Sequence, residues 1–200
     1  MNIFVHAFKL VAGLFIPNKH CAFHLQVLQV ISRFTWEILQ TLAGFLSALV
    51  YVLLFKVRRV SYSNGAVVVR CKSKFGAFTL GCYVIGDREI SGNPSQRLFQ
   101  HEYGHYLQSI KSGPVYLVKY GWPSLVSAWR YSLKQHCKNT AEVDANIRAK
   151  KYWDTHYQQH YRWNLKYNPM HEEVVPDTLK WYDFMPVYFP LIHLVKAFKK

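Results

Sequence analysis

The first sixty residues carry two hydrophobic stretches that differ in length and in charge. The stretch from Ile3 to Ile16 has 14 residues and is interrupted by His6 and Lys9. Because a helix needs about 20 apolar residues to cross a bilayer, this stretch predicts an interfacial or core helix.

The second stretch runs from Phe34 to Phe55, and Glu37 is its only formally charged residue. Its length, with Trp36 and Tyr51 near its ends, predicts a single membrane-spanning helix. The alternative is a buried hairpin helix of a soluble protein. Basic residues crowd its C-terminal side, so the positive-inside rule places the rest of the chain in the cytoplasm. These residues are Lys56, Arg58, Arg59, Arg70, Lys72 and Lys74.

After residue 57 the hydrophobic pattern changes to a period of two. Residues 60–62 and 66–69 flank the pair Asn64-Gly65, a strong signal for a two-residue hairpin turn. Residues 77–86 are a third strand candidate. Together these segments predict a small antiparallel sheet.

Helical periodicity begins after Ser91-Gly92. A helix is predicted from Pro94 to Lys111, with Asn93 as its N-cap. Further helical segments are predicted over residues 115–120, 125–135 and 140–160. The fold class that follows is α+β, mainly α. We expect a membrane-anchor region over residues 1–57 and a helical domain over residues 58–200.

The composition adds a strong positive charge to this picture. The chain has 25 Lys and Arg residues against 11 Asp and Glu, a formal net charge of +14. Such a surplus favours an anionic partner, either nucleic acid or a membrane surface. Residues 148–163 mix basic and aromatic side chains, which favours a helix on anionic lipid over single-stranded nucleic acid. The tail from Trp181 to Lys200 is a second segment expected to seek a surface.

Within the helix predicted after Pro94 lies the H-E-x-x-H motif that begins at His101. Residues four apart lie one turn apart on one helix face, so both imidazoles can bind one Zn²⁺ ion. The Glu beside them can act as general base on a water molecule. The motif assigns His101 and His105 as metal ligands and Glu102 as catalytic base. The alternative is an ordinary pair of core or surface histidines.

The scarcity of acidic residues points to the third ligand. Between residues 92 and 141 the only acidic residue is Glu102, and the next two are Glu142 and Asp144. Glu142 and Asn146 share one face of the predicted fourth helix, whereas Asp144 points to the opposite side. We therefore expect Glu142 to be the third ligand, with Asp144 as the alternative. Three protein ligands leave the open position that catalytic zinc requires.

Other candidate sites are weaker. The metzincin pattern is excluded, because Gln108 and Lys111 occupy the positions of its Gly and third His. The sequences His20-Cys21-His24 and His136-Cys137 are interpreted as incidental. The four cysteines are scattered and are expected to be reduced.

Residues 100–128, QHEYGHYLQSIKSGPVYLVKYGWPSLVSA, resemble a group of small bacterial membrane-associated proteins with an H-E-x-G-H-x-x-Q-S motif. The motif helix followed by an acidic helix is also similar to the gluzincin metallopeptidases. Within that clan it is most similar to the membrane-embedded type that processes prenylated proteins. The resemblance implies a zincin-like domain with the zinc ligands and base named above. Asn146 stands where the family has Asp, which implies a less basic His ligand.

These patterns together predict a zinc metallopeptidase at a membrane. It would hydrolyse peptide bonds in a peptide or protein substrate, with Glu102 as general base. The alternative is a catalytically silent membrane-associated binding or scaffold protein with a structural or degenerate metal site. Nucleic-acid binding, a third class, rests on charge alone.

Overall fold

The structure is a computed structural model that describes residues 3–157. Seven α-helices and four β-strands lie in that range, so the described chain is mainly helical with a small sheet, as the α+β class predicts. In chain order they are α1 (Ile3–Gly13), α2 (Phe23–Phe34), α3 (Ile38–Leu53), β1 (Val57–Ser63), β2 (Ala66–Cys71), β3 (Ala77–Leu80), β4 (Tyr83–Gly86), α4 (Arg97–Ser112), α5 (Trp122–Arg130), α6 (Leu133–His136) and α7 (Thr140–His156). A 3₁₀-helix (Gly113–Val115) and a π-helical turn (Leu117–Gly121) connect α4 to α5.

The second apolar stretch, predicted as one membrane-spanning helix from Phe34 to Phe55, is continuously helical only over Ile38–Leu53, 16 residues. Residues 35–37 separate α2 from α3, and the two helices are bent by 74°. The carboxylate of Glu37 is buried at this break and accepts hydrogen bonds from the hydroxyls of Ser32 (2.6 Å) and Ser109 (2.7 Å). A buried carboxylate needs donors inside the protein, and these two hydroxyls supply them. Among the helices of residues 3–157, none is by itself long and apolar enough to cross a membrane. The bent pair passes that test by length and composition only.

The first helices bury several polar residues and leave many large apolar residues on their outer faces. In α3, Gln40, Thr41 and Gly44 are buried, whereas Leu42 and Leu46 on the outer face are half exposed. This is the reverse of the pattern of a helix whose outer face meets water.

Arg33 of α2 is 1% exposed and ties the N-terminal helices to the sheet. Its guanidinium donates hydrogen bonds to the carbonyls of Gly13 (3.0 Å), Leu14 (2.7 Å) and Gly65 (2.6 Å), and to the hydroxyl of Tyr106 (3.1 Å). The contact with Gly65 crosses the predicted boundary between the two regions of the chain. The outward apolar faces of α1–α3 therefore belong to helices that are packed against the rest of the described fold.

The strands form a mixed sheet in the order β1-β2-β4-β3, whereas the sequence predicts an antiparallel one. The β1–β2 hairpin is as predicted, and both turn residues, Asn64 and Gly65, have positive φ. The third predicted strand is two strands, because the chain reverses at Gly81 and Cys82. β4 then inserts parallel to β2, with β3 on its other side. All four residues of β4 are buried, as expected for a strand at an inner position of the sheet.

α4 confirms the predicted motif helix but begins at Arg97, three residues later than predicted. Asn93 is not its N-cap, because the helix begins later and Gln96 holds that position. The side chain of Asn93 accepts a hydrogen bond from the backbone N–H of Ser95 (2.9 Å) in the turn before the helix. The helix predicted over residues 125–135 is divided into α5 and α6. The fourth predicted helix is confirmed as α7.

α4 and α7 pack along each other through fully buried aromatic rings. Phe99 and Tyr103 of α4 lie 6.1 Å and 5.0 Å from Trp153 of α7, measured between ring centroids. This contact fixes the C-terminal half of α7 against the N-terminal half of α4. Residues 158–163 of the predicted basic-aromatic helix, and the tail from Trp181 to Lys200, lie outside the described residues.

Candidate metal centre

The packing of α4 against α7 brings the three predicted ligands together. Nε2 of His101 and Nε2 of His105 lie 3.0 Å and 3.2 Å from the same oxygen of Glu142, Oε2. The three ligand atoms all lie within 4.8 Å of one another. Within residues 3–157 this is the one group of His, Cys, Asp and Glu side chains with metal-binding spacing.

An amide side chain orients each of the two histidine rings. Nδ1 of His101 lies 3.1 Å from Oδ1 of Asn146, and Nδ1 of His105 lies 2.8 Å from Oε1 of Gln108. The side-chain nitrogens of Gln108 and Asn146 donate to backbone carbonyls of α7. The atoms of these two amides that face the histidine rings are therefore the oxygens. Because an amide oxygen only accepts, both Nδ1 atoms carry the proton. In the neutral rings both Nε2 lone pairs therefore point at Glu142.

Three hydrogen-bond acceptors thus face one another at the centre of the site. Acceptor atoms repel one another, so these three can lie this close only if a positive charge lies between them. In the metal-free chain protons supply that charge. Burial opposes the protonation of His105, but the Glu142 carboxylate raises the pKa of His105 to about 9. Burial likewise disfavours the charged form of Glu142, yet His105 and His101 hold the Glu142 pKa well below its usual range. A metal cation can take the place of these protons.

The second oxygen of Glu142, Oε1, is buried and has no hydrogen-bond partner. Leaving a buried acceptor unpaired costs roughly 1–3 kcal/mol, and more for a charged group. Bidentate binding of a cation would remove that cost. Two oriented imidazoles and one carboxylate are also a donor set that transition metals accept. The residues therefore fit a metal ion, and the group of His101, His105 and Glu142 could hold one.

Glu102 lies beside this group with its side chain almost fully buried. Its Oε2 accepts a hydrogen bond from the hydroxyl of Thr79 at 2.7 Å. Thr79 belongs to β3, the edge strand of the sheet, and its carbonyl accepts from the hydroxyl of Tyr116 at 2.9 Å. The sheet edge thus positions the carboxylate that the motif names as base. Nothing in the sequence pattern indicated Thr79.

Asp144, the alternative ligand, does not take part in the metal group. Its carboxylate forms an ion pair with Arg148 at 2.6 Å and accepts a hydrogen bond from Nε2 of Gln108 at 2.8 Å. Gln108 is fully buried and connects Asp144 to the ring of His105. Through Gln108, Asp144 therefore contacts the ligand His105 from behind. Asp144 is buried against α4, whereas the helical periodicity alone predicts that it points away from the site.

A third histidine, His136 at the end of α6, reaches the same carboxylate. Its Nε2 lies 3.7 Å from Oε2 of Glu142, and its Nδ1 lies 3.1 Å from Oγ of Ser127 in α5. From the sequence pattern His136 is interpreted as incidental, and the structure places it at the metal group. Its place six residues before Glu142, across the N-cap of α7, is the one cue that the sequence contains.

The other sequence candidates do not form a metal group in the described part of the chain. Nε2 of His20 lies 2.8 Å from the hydroxyl of Tyr157, remote from the motif in the sequence. The four cysteines are free, as expected for a chain with reduced thiols.

The chain matches no protein-family model, no curated protein and no solved structure. The relationship to gluzincins stays a prediction.

Proposed function

We propose that this protein is a zinc-dependent metallopeptidase that acts at a membrane on a peptide or protein substrate. The observation that carries the proposal is the convergence of His101, His105 and Glu142 beside the buried carboxylate of Glu102. Metal-assisted hydrolysis of a peptide bond needs oriented ligands and an adjacent general base. This group of four residues supplies both.

Zinc is the metal that this donor set favours. Mg²⁺ and Ca²⁺ prefer all-oxygen sites, whereas two imidazole nitrogens and a carboxylate oxygen are common ligands of catalytic zinc. When bound, zinc would polarise a substrate carbonyl and lower the pKa of a water molecule to about 7.

The protein's own residues transfer the proton and orient the metal ligands. The hydroxyl of Thr79 holds Oε2 of Glu102, which leaves Oε1 of Glu102 to take a proton from the attacking water. The same carboxyl group can then deliver that proton to the leaving amine. Asn146 and Gln108 keep the two imidazole lone pairs aimed at the metal position.

The test combines metal analysis of the purified full-length protein with hydrolysis of a random peptide library followed by mass spectrometry. We expect one zinc ion per wild-type chain, lost in His101→Ala and Glu142→Ala. Glu102→Gln should keep zinc and lose hydrolysis, whereas the exposed Glu89→Gln should change neither. A wild-type chain without zinc would overturn the proposal. Zinc without any hydrolysis would favour the catalytically silent binding protein, and full hydrolysis by Glu102→Gln would remove its role as base.

The location at a membrane is supported by the apolar outer faces of α1, α2 and α3. The exposed large apolar side chains on these helices have exposed fractions of 42–81%. They include Phe4, Phe8, Phe23, Val27, Leu28, Ile31, Phe34, Leu39, Leu42, Leu46, Val50 and Leu53. Monomeric soluble proteins rarely expose contiguous apolar patches above a few hundred Å². A lipid environment explains why these helices keep Gln40 and Arg33 inside and leucines outside, and the net charge of +14 suits anionic headgroups.

Vesicle sedimentation tests the membrane location separately from the peptidase activity. We expect the protein to sediment with vesicles that contain phosphatidylglycerol and to bind pure phosphatidylcholine vesicles less well. The double variant Leu42→Glu, Leu46→Glu should lose binding. A matched control, Ser95→Glu with Thr155→Glu, makes the same charge change at exposed polar positions. Equal loss in both variants would mean that charge alone drives binding, and no sedimentation of the wild type would overturn the membrane location.

A further inference from the structure

Helix α5 carries an apolar stripe that the rest of residues 3–157 leaves uncovered. Trp122, Leu125 and Trp129 recur at spacings of three and four, so they lie on one face of the helix. Val118, in the π-helical turn, precedes them by about one further turn. These four side chains have exposed fractions of 62–83%. Because tryptophan is highly buried on average, two exposed tryptophans on one helix face indicate a surface that meets something other than water.

The opposite face of α5 packs toward the metal centre. Ser127 lies on the other side of the helix from the stripe and is buried. Its hydroxyl lies 3.1 Å from Nδ1 of His136, whose Nε2 lies 3.7 Å from Oε2 of Glu142. A helix with its side chains is about 10–12 Å across. A surface that covered the stripe would therefore lie beside the metal centre, with α5 between them.

The charge around the stripe indicates the chemistry of the partner that covers it. No Asp or Glu occurs between Glu102 and Glu142, a segment that contains Lys119, Arg130 and Lys138. Arg130, at the end of α5, is exposed. Such a segment attracts an anionic partner and repels a second copy of this chain, which has the same formal net charge of +14. Tryptophan and leucine on one face, with basic residues beside them, are typical of helices that lie on anionic membranes.

We propose that α5 is an interfacial helix, whose stripe of Val118, Trp122, Leu125 and Trp129 inserts among the headgroups of anionic phospholipid. This inference rests on the proposed membrane location and is independent of the peptidase activity. α5 has nine residues, whereas a helix needs about 20 to cross a bilayer, so it lies in the plane of the membrane surface. The sequence confines the membrane contact to residues 1–57 and to segments after residue 147. The stripe adds an attachment between them, next to the metal centre.

The first experiment is sedimentation of the full-length protein with vesicles of phosphatidylglycerol and phosphatidylcholine. It compares wild type with the double variants Trp122→Ala, Trp129→Ala and Trp122→Phe, Trp129→Phe. Interfacial binding scales with the apolar area that is buried, so we expect the Ala pair to weaken vesicle affinity about tenfold or more and the Phe pair about threefold or less. Ser95→Ala with Thr155→Ala, at exposed positions outside the stripe, is the matched control and should bind as wild type. Circular dichroism verifies that each variant is folded.

A second measurement reports the surroundings of the stripe without removing both tryptophans. An environment-sensitive NBD fluorophore is attached to the Trp129→Cys variant, in a chain that also carries Cys21→Ser and Cys137→Ser, so that the remaining native thiols are buried. When vesicles are added, its emission should rise and shift to shorter wavelength. The same fluorophore on Ser95→Cys, an exposed position before α4, should change little.

The outcomes separate this inference from the proposed membrane location. A folded Ala pair that binds vesicles as wild type does, or an NBD emission at position 129 that ignores vesicles while the protein sediments, would overturn the role of α5 alone. Emission already shifted without vesicles would also overturn it, because another part of the chain would then cover the stripe, or a second copy if dilution reverses the shift. A wild type that sediments with no vesicles would defeat the membrane location, and the role of α5 with it.

Discussion

Gly104 of α4 lies directly against the backbone carbonyl of Ala145 in α7. A Cβ atom added at Gly104 would overlap the carbonyl oxygen of Ala145 and lie 2.6 Å from its carbonyl carbon. The two helices that carry the ligands therefore touch backbone to backbone, inside the motif itself. This close approach allows Glu142, near the start of α7, to reach both His101 and His105.

We predict that Gly104→Ala lowers the free energy of unfolding by roughly 1–3 kcal/mol and weakens zinc binding, because a rigid backbone group must move away. Urea denaturation with chelator present measures the first effect, and chelator competition measures the second. Gly121→Ala is the control, since its Cβ would meet nothing closer than 3.6 Å. A Gly104→Ala protein with wild-type stability and zinc affinity would contradict the close contact.

The hydrogen bond between His101 and Asn146 leads to a prediction about metal affinity. Asn146→Ala should weaken zinc binding about 10–100-fold, the usual effect of removing the group that orients a ligating His. Asn146→Asp should strengthen binding, because a carboxylate at Nδ1 raises the basicity of the ring. Asn93→Ala, at an exposed position, serves as control in the same chelator competition. Equal affinities in all four proteins would show that this contact has no part in metal binding.

The hydroxyl of Thr79 should matter for turnover and not for metal binding. Thr79→Val keeps the shape of the side chain and removes the donor to Glu102. A hydrogen bond to a charged group contributes about 1.5–3 kcal/mol, so we expect kcat to fall about tenfold or more. Thr79→Ser should retain most activity, and Thr155→Val is the exposed control. If Thr79→Val lost zinc together with activity, its role would be in the fold of the site and not in holding the base.

The buried thiols should react slowly and with a steep dependence on pH. Burial raises the pKa of Cys71 and of Cys82 to about 12. Only about one thiol in ten thousand is then ionised at pH 8, and the thiolate is the nucleophile. In the folded protein, iodoacetamide should label Cys21 and Cys137 first, because both are only partly buried. Labelling of Cys71 and Cys82 should need urea or a pH near 12. Peptide mapping by mass spectrometry gives the order, and rapid labelling of Cys82 in the folded chain would contradict its burial.

Much of the local structure follows from the sequence, because it depends on neighbours along the chain. The turn at Asn64-Gly65 is one example, since the residue types themselves favour positive φ. The motif helix and the helix of Glu142 are others, since a period of 3.6 residues is a local signal. The break between α2 and α3 could not be predicted in this way. It depends on Ser109, a hydrogen-bond partner 72 residues away from Glu37.

The sequence by itself determined which residues could bind a metal. The helical repeat places His101 and His105 on one face, and the scarcity of acids singles out Glu142. Only the tertiary structure decided what surrounds them: Thr79 on the base, Gln108 and Asn146 on the rings, and His136 at the same carboxylate. It also decided that β4 lies inside the sheet and that leucines of α3 face outward. The physical reason is that helical spacing is set by bonds along the chain. Contacts between elements are set by packing and by the need of buried polar groups for partners, which no local pattern records.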